Sequence, residues 1–122
     1  MLESGGSIVD AVEKAVMVVE RDPKNTSVGI GGYPDRDGIV TLDASIMGPD
    51  SNAGSVCFLQ DIKHPISLAR LVMEQTPHVM LAGEGALQFA LENGFEKENL
   101  LTPQMKAFQP PRLAQQMQRR RA

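Results

Sequence analysis

The sequence has no tryptophan, a single tyrosine, a single cysteine and two histidines, and each shortage closes off a class of function. No apolar run approaches the roughly 18 residues a membrane-spanning helix needs, so a membrane protein is excluded as an expectation. Cys57 has no partner for an internal disulfide, and its place in the apolar run SVCFL predicts an inert core thiol rather than a nucleophile. His64 and His78 stand far apart, and Asp35, Asp37 and Asp43 lack ligand spacing, so neither a metal nor another cofactor is expected. The same scarcity leaves no Ser-His-Asp arrangement to defend, and both histidines read as structural or solvated. The first residues, MLESGGSIVD, lack the basic start, apolar stretch and small-residue cleavage site of a secretory signal. No signal is therefore expected in them, and the compartment stays open.

Acidic residues are missing from one end of the chain. Residues 1–102 hold 7 of the 12 Lys/Arg and all 15 Asp/Glu, whereas residues 103–122 hold Lys106, Arg112, Arg119, Arg120 and Arg121 and no acid. This predicts two parts: one globular unit over 1–102, within the size of a single domain, and a basic tail over 103–122 that is flexible or weakly helical. Basic tails can dock on nucleic acid, but these arginines have no interleaved aromatics and read as a solvated end. No nucleic-acid partner is expected.

What is present is a regular alternation of helical and strand patterns. Ile8, Ala11, Val12, Ala15, Val16 and Val19 recur at helical spacing, with Ser7 and Asp10 as a capping pair and Asp22-Pro23 as the stop, predicting a helix from Ser7 to about Arg21. Short strands are predicted over Ser27–Ile30, Ile39–Met47, Gly54–Leu59 and Val79–Ala82. In the second, Val40, Leu42, Ala44 and Ile46 share one face, and Thr41, Asp43 and Ser45 the other. Pro65 opens a helix to Gln75, and a turn at Gly83-Glu84-Gly85 precedes a helix over Ala86–Asn93, closed by Gly94. The expected order is α, β, β, β, α, β, α, an α/β (α+β) fold.

The glycine-rich stretch VGIGGYPDRDG looks at first like a phosphate cradle. Such loops lie between a strand and a helix N-terminus, with Gly-Lys-Ser/Thr or G-x-G-x-x-G spacing, and here Gly29, Gly31 and Gly32 run into Pro34 and then a strand. A hairpin with Asp37-Gly38 at its tight turn is the reading that composition favours.

Taken together, SGGSIVDAVEKAV, DPKNTSVGIGGYPDRDGIVTLDASIM and NAGSVCFLQDIKHPISLARLVMEQTPHVMLAGEGALQFALENGF resemble the glycosylasparaginase family and, more broadly, the type-2 asparaginase and isoaspartyl peptidase enzymes. The resemblance covers about residues 3–102. The blocks PDRDG, TLDASIM, HPISLAR, VMEQTPHVMLAGEGA and ENLLTP are specific jointly rather than singly, and VGIGGYPDRDG looks closer to the glycosylasparaginase branch. The resemblance implies an N-terminal nucleophile hydrolase, a four-layer αββα sandwich made as a precursor that cleaves itself before a threonine. The freed threonine attacks with its hydroxyl, its own α-amino group serving as base. The implied substrates are aspartyl side-chain amides: asparagine, N-acetylglucosaminyl-asparagine or β-aspartyl peptides. The implied assembly is an αβ heterodimer or a dimer of such heterodimers, with this chain corresponding to most of the α portion.

Departures from the family pattern limit what can be carried over. The threonines are Thr26, Thr41, Thr76 and Thr102, and none stands in the family's His-Asp-Thr-Ile/Val-Gly cleavage motif. The expected first strand with its Trp-x-Phe, and the β portion with its substrate-gripping arginine and aspartate, have no counterpart in this sequence. Ser27-Val28-Gly29 has nucleophile-like followers but the wrong residues before it, so autoproteolysis there is not expected. No catalytic residue is therefore assigned. The resemblance implies a hydrogen-bonding role for Ser27 behind the nucleophile, against the alternative of a solvated strand-edge serine. Gly29, Gly31 and Gly32 are expected to permit close backbone approach or to line the pocket wall, and Asp43 to order a neighbouring loop from mid-strand, structural rather than catalytic. Two readings stand: an aspartyl-amide hydrolase portion that works with a β portion, or a catalytically inactive remnant or interaction module.

Overall fold

The computed structural model describes residues 7–108 and Arg119. Its elements run α1 (Ile8–Glu20), β1 (Leu42–Met47), β2 (Ala53–Leu59), α2 (Pro65–Gln75), β3 (Met80–Ala82), α3 (Gly83–Glu92) and α4 (Pro103–Phe108). The result is a small mixed α/β fold in which β2 is the central strand, paired antiparallel with β1 and parallel with β3.

The local sequence explains most of these boundaries. Ser7 and Asp10 form a reciprocal capping box at the start of α1, the Ser7 Oγ accepting from the Asp10 amide at 3.0 Å. Pro65 occupies the first turn of α2, where its missing amide hydrogen costs nothing. The parallel pairing of β2 with β3 needs a crossover, and α2 supplies it by packing back onto the sheet. Ile66, Leu68, Ala69 and Val72 of α2 meet Ile46, Val56 and Leu59 of the strands, with Ala86 and Ala90 of α3 closing the same core. Gly54 makes this closeness possible, since a Cβ there would stand 2.5 Å from the Met73 backbone nitrogen.

The core covers one face of the sheet. Leu42 and Ile46 of β1 are buried while Asp43, Ser45 and Met47 are exposed, as the period-2 pattern requires. Opposite Asp43 the register slips by one residue, and the β-bulge so formed places Phe58 at φ 52, exposed and out of the ladder. Cys57, expected in the core, sits at this bulge and is half-buried.

Three sequence expectations are overturned. No strand forms over 27–30, because Gly29 (φ 62) and Gly31 (φ 90) lie in the left-handed region and the neighbouring amides bond to helix and loop carbonyls instead of a strand. The hairpin reading falls with it, although its turn is present, with Gly38 at φ 84 and the Asp35 amide donating to the Ile39 carbonyl at 2.8 Å. At Gly83-Glu84-Gly85 there is no separate turn: Gly83 (φ 57) bends the chain directly from β3 into α3. Within the predicted basic tail, Pro103–Phe108 is helical and Met105 is buried; Arg119 is exposed, and Arg112, Arg120 and Arg121 lie outside the described residues.

The stripe predicted on α1 is only partly inward, Val16 packing against the core while Ile8, Val12 and Val19 do not. Val9, Val16 and Met17 pack against the core, and Arg70 of α2 bonds to Asp10 and Glu13, so the inward face carries acids. Ile8 (60% exposed), Val12 (43%) and Val19 (40%) face outward. Contiguous apolar surface of this kind promotes association. Replacing Ile8, Val12 and Val19 together by glutamine is expected to lower light scattering of the purified chain on warming while moving its melting temperature by only a few degrees, since exposed substitutions cost roughly 0.5 kcal/mol or less each. Unchanged scattering would show that this face does not drive association.

Candidate functional site

The glycine-rich loop between α1 and β1 is built around one residue that sequence reasoning passed over. Glu20, at the end of α1, is 1% exposed. Its backbone carbonyl accepts the Ile30 amide at 2.9 Å, fastening the loop to the helix end. Gly29 lies directly against that carbonyl, and a Cβ at this position would collide with it. The Glu20 side chain runs in another direction. One carboxylate oxygen accepts the Ile66 amide at 3.0 Å, and the other shares a hydrogen bond of 3.1 Å with His64 Nδ1.

This places an acid at the N-terminus of α2, where it satisfies a backbone donor that the helix itself leaves open. His64, in the N-cap position, makes no cap with its own side chain, so the cap comes from a different helix. Burial pushes the Glu20 carboxyl up to about 7; the Ile66 amide pulls it back and Glu13 adds to the rise. Burial also holds the His64 imidazolium below its usual value, with Lys63 and Arg21 acting in the same direction and Glu98 and Glu13 against it. Among the described residues, no buried side-chain nitrogen or oxygen is left without a partner.

The loop closes on itself and on the far end of the chain. The Tyr33 amide donates to the Thr26 carbonyl at 2.9 Å, and the Gly31 amide to the Leu100 carbonyl at 3.1 Å. Ser27 lies within this closed loop, exposed, its amide donating to Asn25 Oδ1 at 2.9 Å. Gly31 packs against the Pro23 backbone and Gly32 against Val40 and Leu42, so all three glycines line the inside of the loop that presents Ser27.

Asp43 is elsewhere. It stands on the exposed face of β1, where its Oδ1 accepts the Phe58 amide at 3.0 Å and so pairs the donor that the bulge removes from the ladder. With Ser45, Ser55, Cys57 and Met80 it lines an open groove of about 440 Å³ across the uncovered side of the sheet. Ser27 and the glycines are not among the residues lining it. The structure thus groups Ser27, Gly29, Gly31 and Gly32 and separates Asp43 from them.

The Asparaginase family model matches residues 1–121. The chain belongs to the asparaginase family. The N(4)-(β-N-acetylglucosaminyl)-L-asparaginase of Elizabethkingia miricola is 64% identical over 102 residues, covering 84% of this chain and 30% of that protein. The isoaspartyl peptidase/L-asparaginase of Homo sapiens is 48% identical over 110 residues, covering 87% of this chain and 35% of that protein. The N(4)-(β-N-acetylglucosaminyl)-L-asparaginase of Rattus norvegicus is 46% identical over 102 residues. The chain spans about a third of the length of these curated relatives.

One signal for Glu20 was present in the asparaginase-family sequence. An acid in the last turn of a helix opposes the helix dipole, and α1 has no basic residue there to offset it. Such a local conflict points to a tertiary partner. The partner here makes stability depend on pH. Between the ordinary carboxylate value of 4.5 and about 7, the folded chain holds a proton that the unfolded chain has released, so this contribution is full below 4.5 and lost as pH rises through 7. His64, held below its usual value by burial, slopes the opposite way and is retained in Glu20→Gln, so the substitution removes the carboxyl's fall and keeps the imidazole's rise. Denaturant titrations of Glu20→Gln are expected to show a flatter fall in stability between pH 4.5 and 7 than the parent chain. Parallel profiles would contradict the assignment. Glu20→Ala, which leaves the Ile66 amide buried and unpaired beside a cavity, is expected to cost about 2–4 kcal/mol.

Proposed function

We propose that this chain forms the α portion of a hydrolase of aspartyl side-chain amides, acting with a threonine-led β portion as an αβ heterodimer or a dimer of such heterodimers. The observation that carries this reading is the 64% identity over 102 residues to a bacterial N(4)-(β-N-acetylglucosaminyl)-L-asparaginase. It also favours N-acetylglucosaminyl-asparagine over asparagine or a β-aspartyl peptide as the substrate to try first. The β portion lays a second sheet on the uncovered face that carries Asp43, Ser45 and Ser55, completing a four-layer αββα sandwich. That arrangement suits a face on which Asp43 and Ser45 are exposed beside an open groove, while Ser55 is buried and donates to the Val79 carbonyl at 2.8 Å.

In the assembled enzyme the threonine hydroxyl attacks the carbon of the side-chain amide, its α-amino group taking the proton. The amine or ammonia leaves, and water releases aspartate from the ester so formed. Ser27 supplies a hydrogen bond behind the nucleophile, presented by a loop whose backbone is fixed at Thr26, Ile30 and Gly31. Co-expression with a segment beginning at a His-Asp-Thr-Ile/Val-Gly cleavage site is expected to release aspartate from N-acetylglucosaminyl-asparagine or asparagine. Ser27→Ala should then lower kcat by about tenfold with a smaller change in KM, the pattern of an interaction made mainly in the transition state. A folded assembly that releases no product from any aspartyl amide would contradict the reading and favour an inactive interaction module.

A further inference from the structure

Glu20 joins two parts of the chain, the start of α2 through its side chain and the loop that carries Ser27 through its carbonyl. Its carboxylate is fixed at two points, by the Ile66 amide at 3.0 Å and His64 Nδ1 at 3.1 Å, and its carbonyl fixes the Ile30 amide at 2.9 Å. Ser27 sits between this anchor and the Thr26 carbonyl that Tyr33 holds, so its backbone is pinned on both sides. The Glu20 carbonyl occupies the space that a Cβ at residue 29 would take, so the close approach of loop and helix end requires glycine there. At 1% exposure, Glu20 itself is shut away from any substrate.

We propose that Glu20 is a positioning residue for the amide-hydrolysing site, setting where Ser27 stands by tying its loop to the N-terminus of α2. This rests on the proposed hydrolase activity. A carboxyl group does this better than an apolar side chain because it accepts from the Ile66 amide through one oxygen and shares a hydrogen bond with His64 through the other, and so fixes its own direction. The charged and titratable groups that act on the Glu20 carboxyl are Glu13 on its own helix and His64 at 3.1 Å, while Lys63, Arg21 and Glu98 act on His64. Glutamine keeps an acceptor for Ile66 and can donate to His64, whereas alanine keeps neither bond.

The test is a double-mutant cycle in the co-expressed assembly, read with amide hydrogen exchange at Ile30. Glu20→Ala is expected to lower kcat by about tenfold, Glu20→Gln by no more than about threefold, and Glu20→Ala with Ser27→Ala no further than Ser27→Ala alone, because both remove the same interaction. Exchange at Ile30 should be about tenfold faster in Glu20→Ala and close to the parent in Glu20→Gln. If Glu20→Ala does not fold, the comparison uses Glu20→Asp, whose carboxylate is one methylene short of Ile66, with the same non-additivity expected. Additive losses, or Ile30 exchange unchanged by either shortening or truncating the side chain, overturn the positioning role while leaving the hydrolase reading intact. A parent assembly without aspartyl-amide hydrolysis overturns the hydrolase reading instead, and with it the role assigned at Ser27.

Discussion

The buried carboxylate of Glu20 is the constraint on which the rest of the loop architecture depends. Taking an acid out of water is costly unless its lone pairs are satisfied, and here they are met by a helix N-terminal amide and an imidazole. The arrangement solves two problems at once. The first amides of α2 need an acceptor that the His64 side chain does not provide, and the loop that follows α1 needs a fixed point. One residue at the junction of α1 and the loop supplies both, its side chain serving the helix and its carbonyl serving the loop.

The glycines follow from that constraint. Because the loop turns back against the Glu20 carbonyl, residue 29 must lack a Cβ and adopt φ 62, and residue 31 must do likewise against the Pro23 backbone. A glycine run that resembles a phosphate cradle is in this case a packing device. The sheet has a comparable economy. Gly54 lets the α2 backbone approach β2 closely, and Asp43 compensates for the one amide that the bulge at Phe58 takes out of the ladder.

Much of the fold was legible in the sequence, and what was not has physical causes. The capping box at Ser7 and Asp10, the proline at the start of α2 and the alternation along β1 are local signals with local consequences: both helices start where they pointed, and the strand expected over Ile39–Met47 forms over Leu42–Met47. The strand expected over 27–30 failed because β-branched and apolar residues there are overruled by glycines held at positive φ through long-range contacts. The inward face of α1 was misjudged for a related reason: Arg70, sixty residues away from Asp10 in sequence, draws acids inward, and helical spacing alone carries no record of it. The site was legible only as a family pattern. Joint blocks such as PDRDG and TLDASIM identified the asparaginase family, but Glu20 appears in the sequence only as an acid at the wrong end of a helix.

The division of roles is consistent across levels. Residues that resemble the family's site are held in one loop, the polar face of the sheet lies apart from it, and α2 covers the sheet's other face. The most direct measurement of this account is a titration of the Glu20 carboxyl carbon by nuclear magnetic resonance, followed together with the Ile66 amide proton. A midpoint of about 7 is expected, with the Ile66 amide shifting over the same range as its acceptor changes charge. A midpoint at the ordinary value of 4.5, or an Ile66 amide indifferent to the titration, would show that the carboxylate is neither buried nor bonded to α2 and would contradict it.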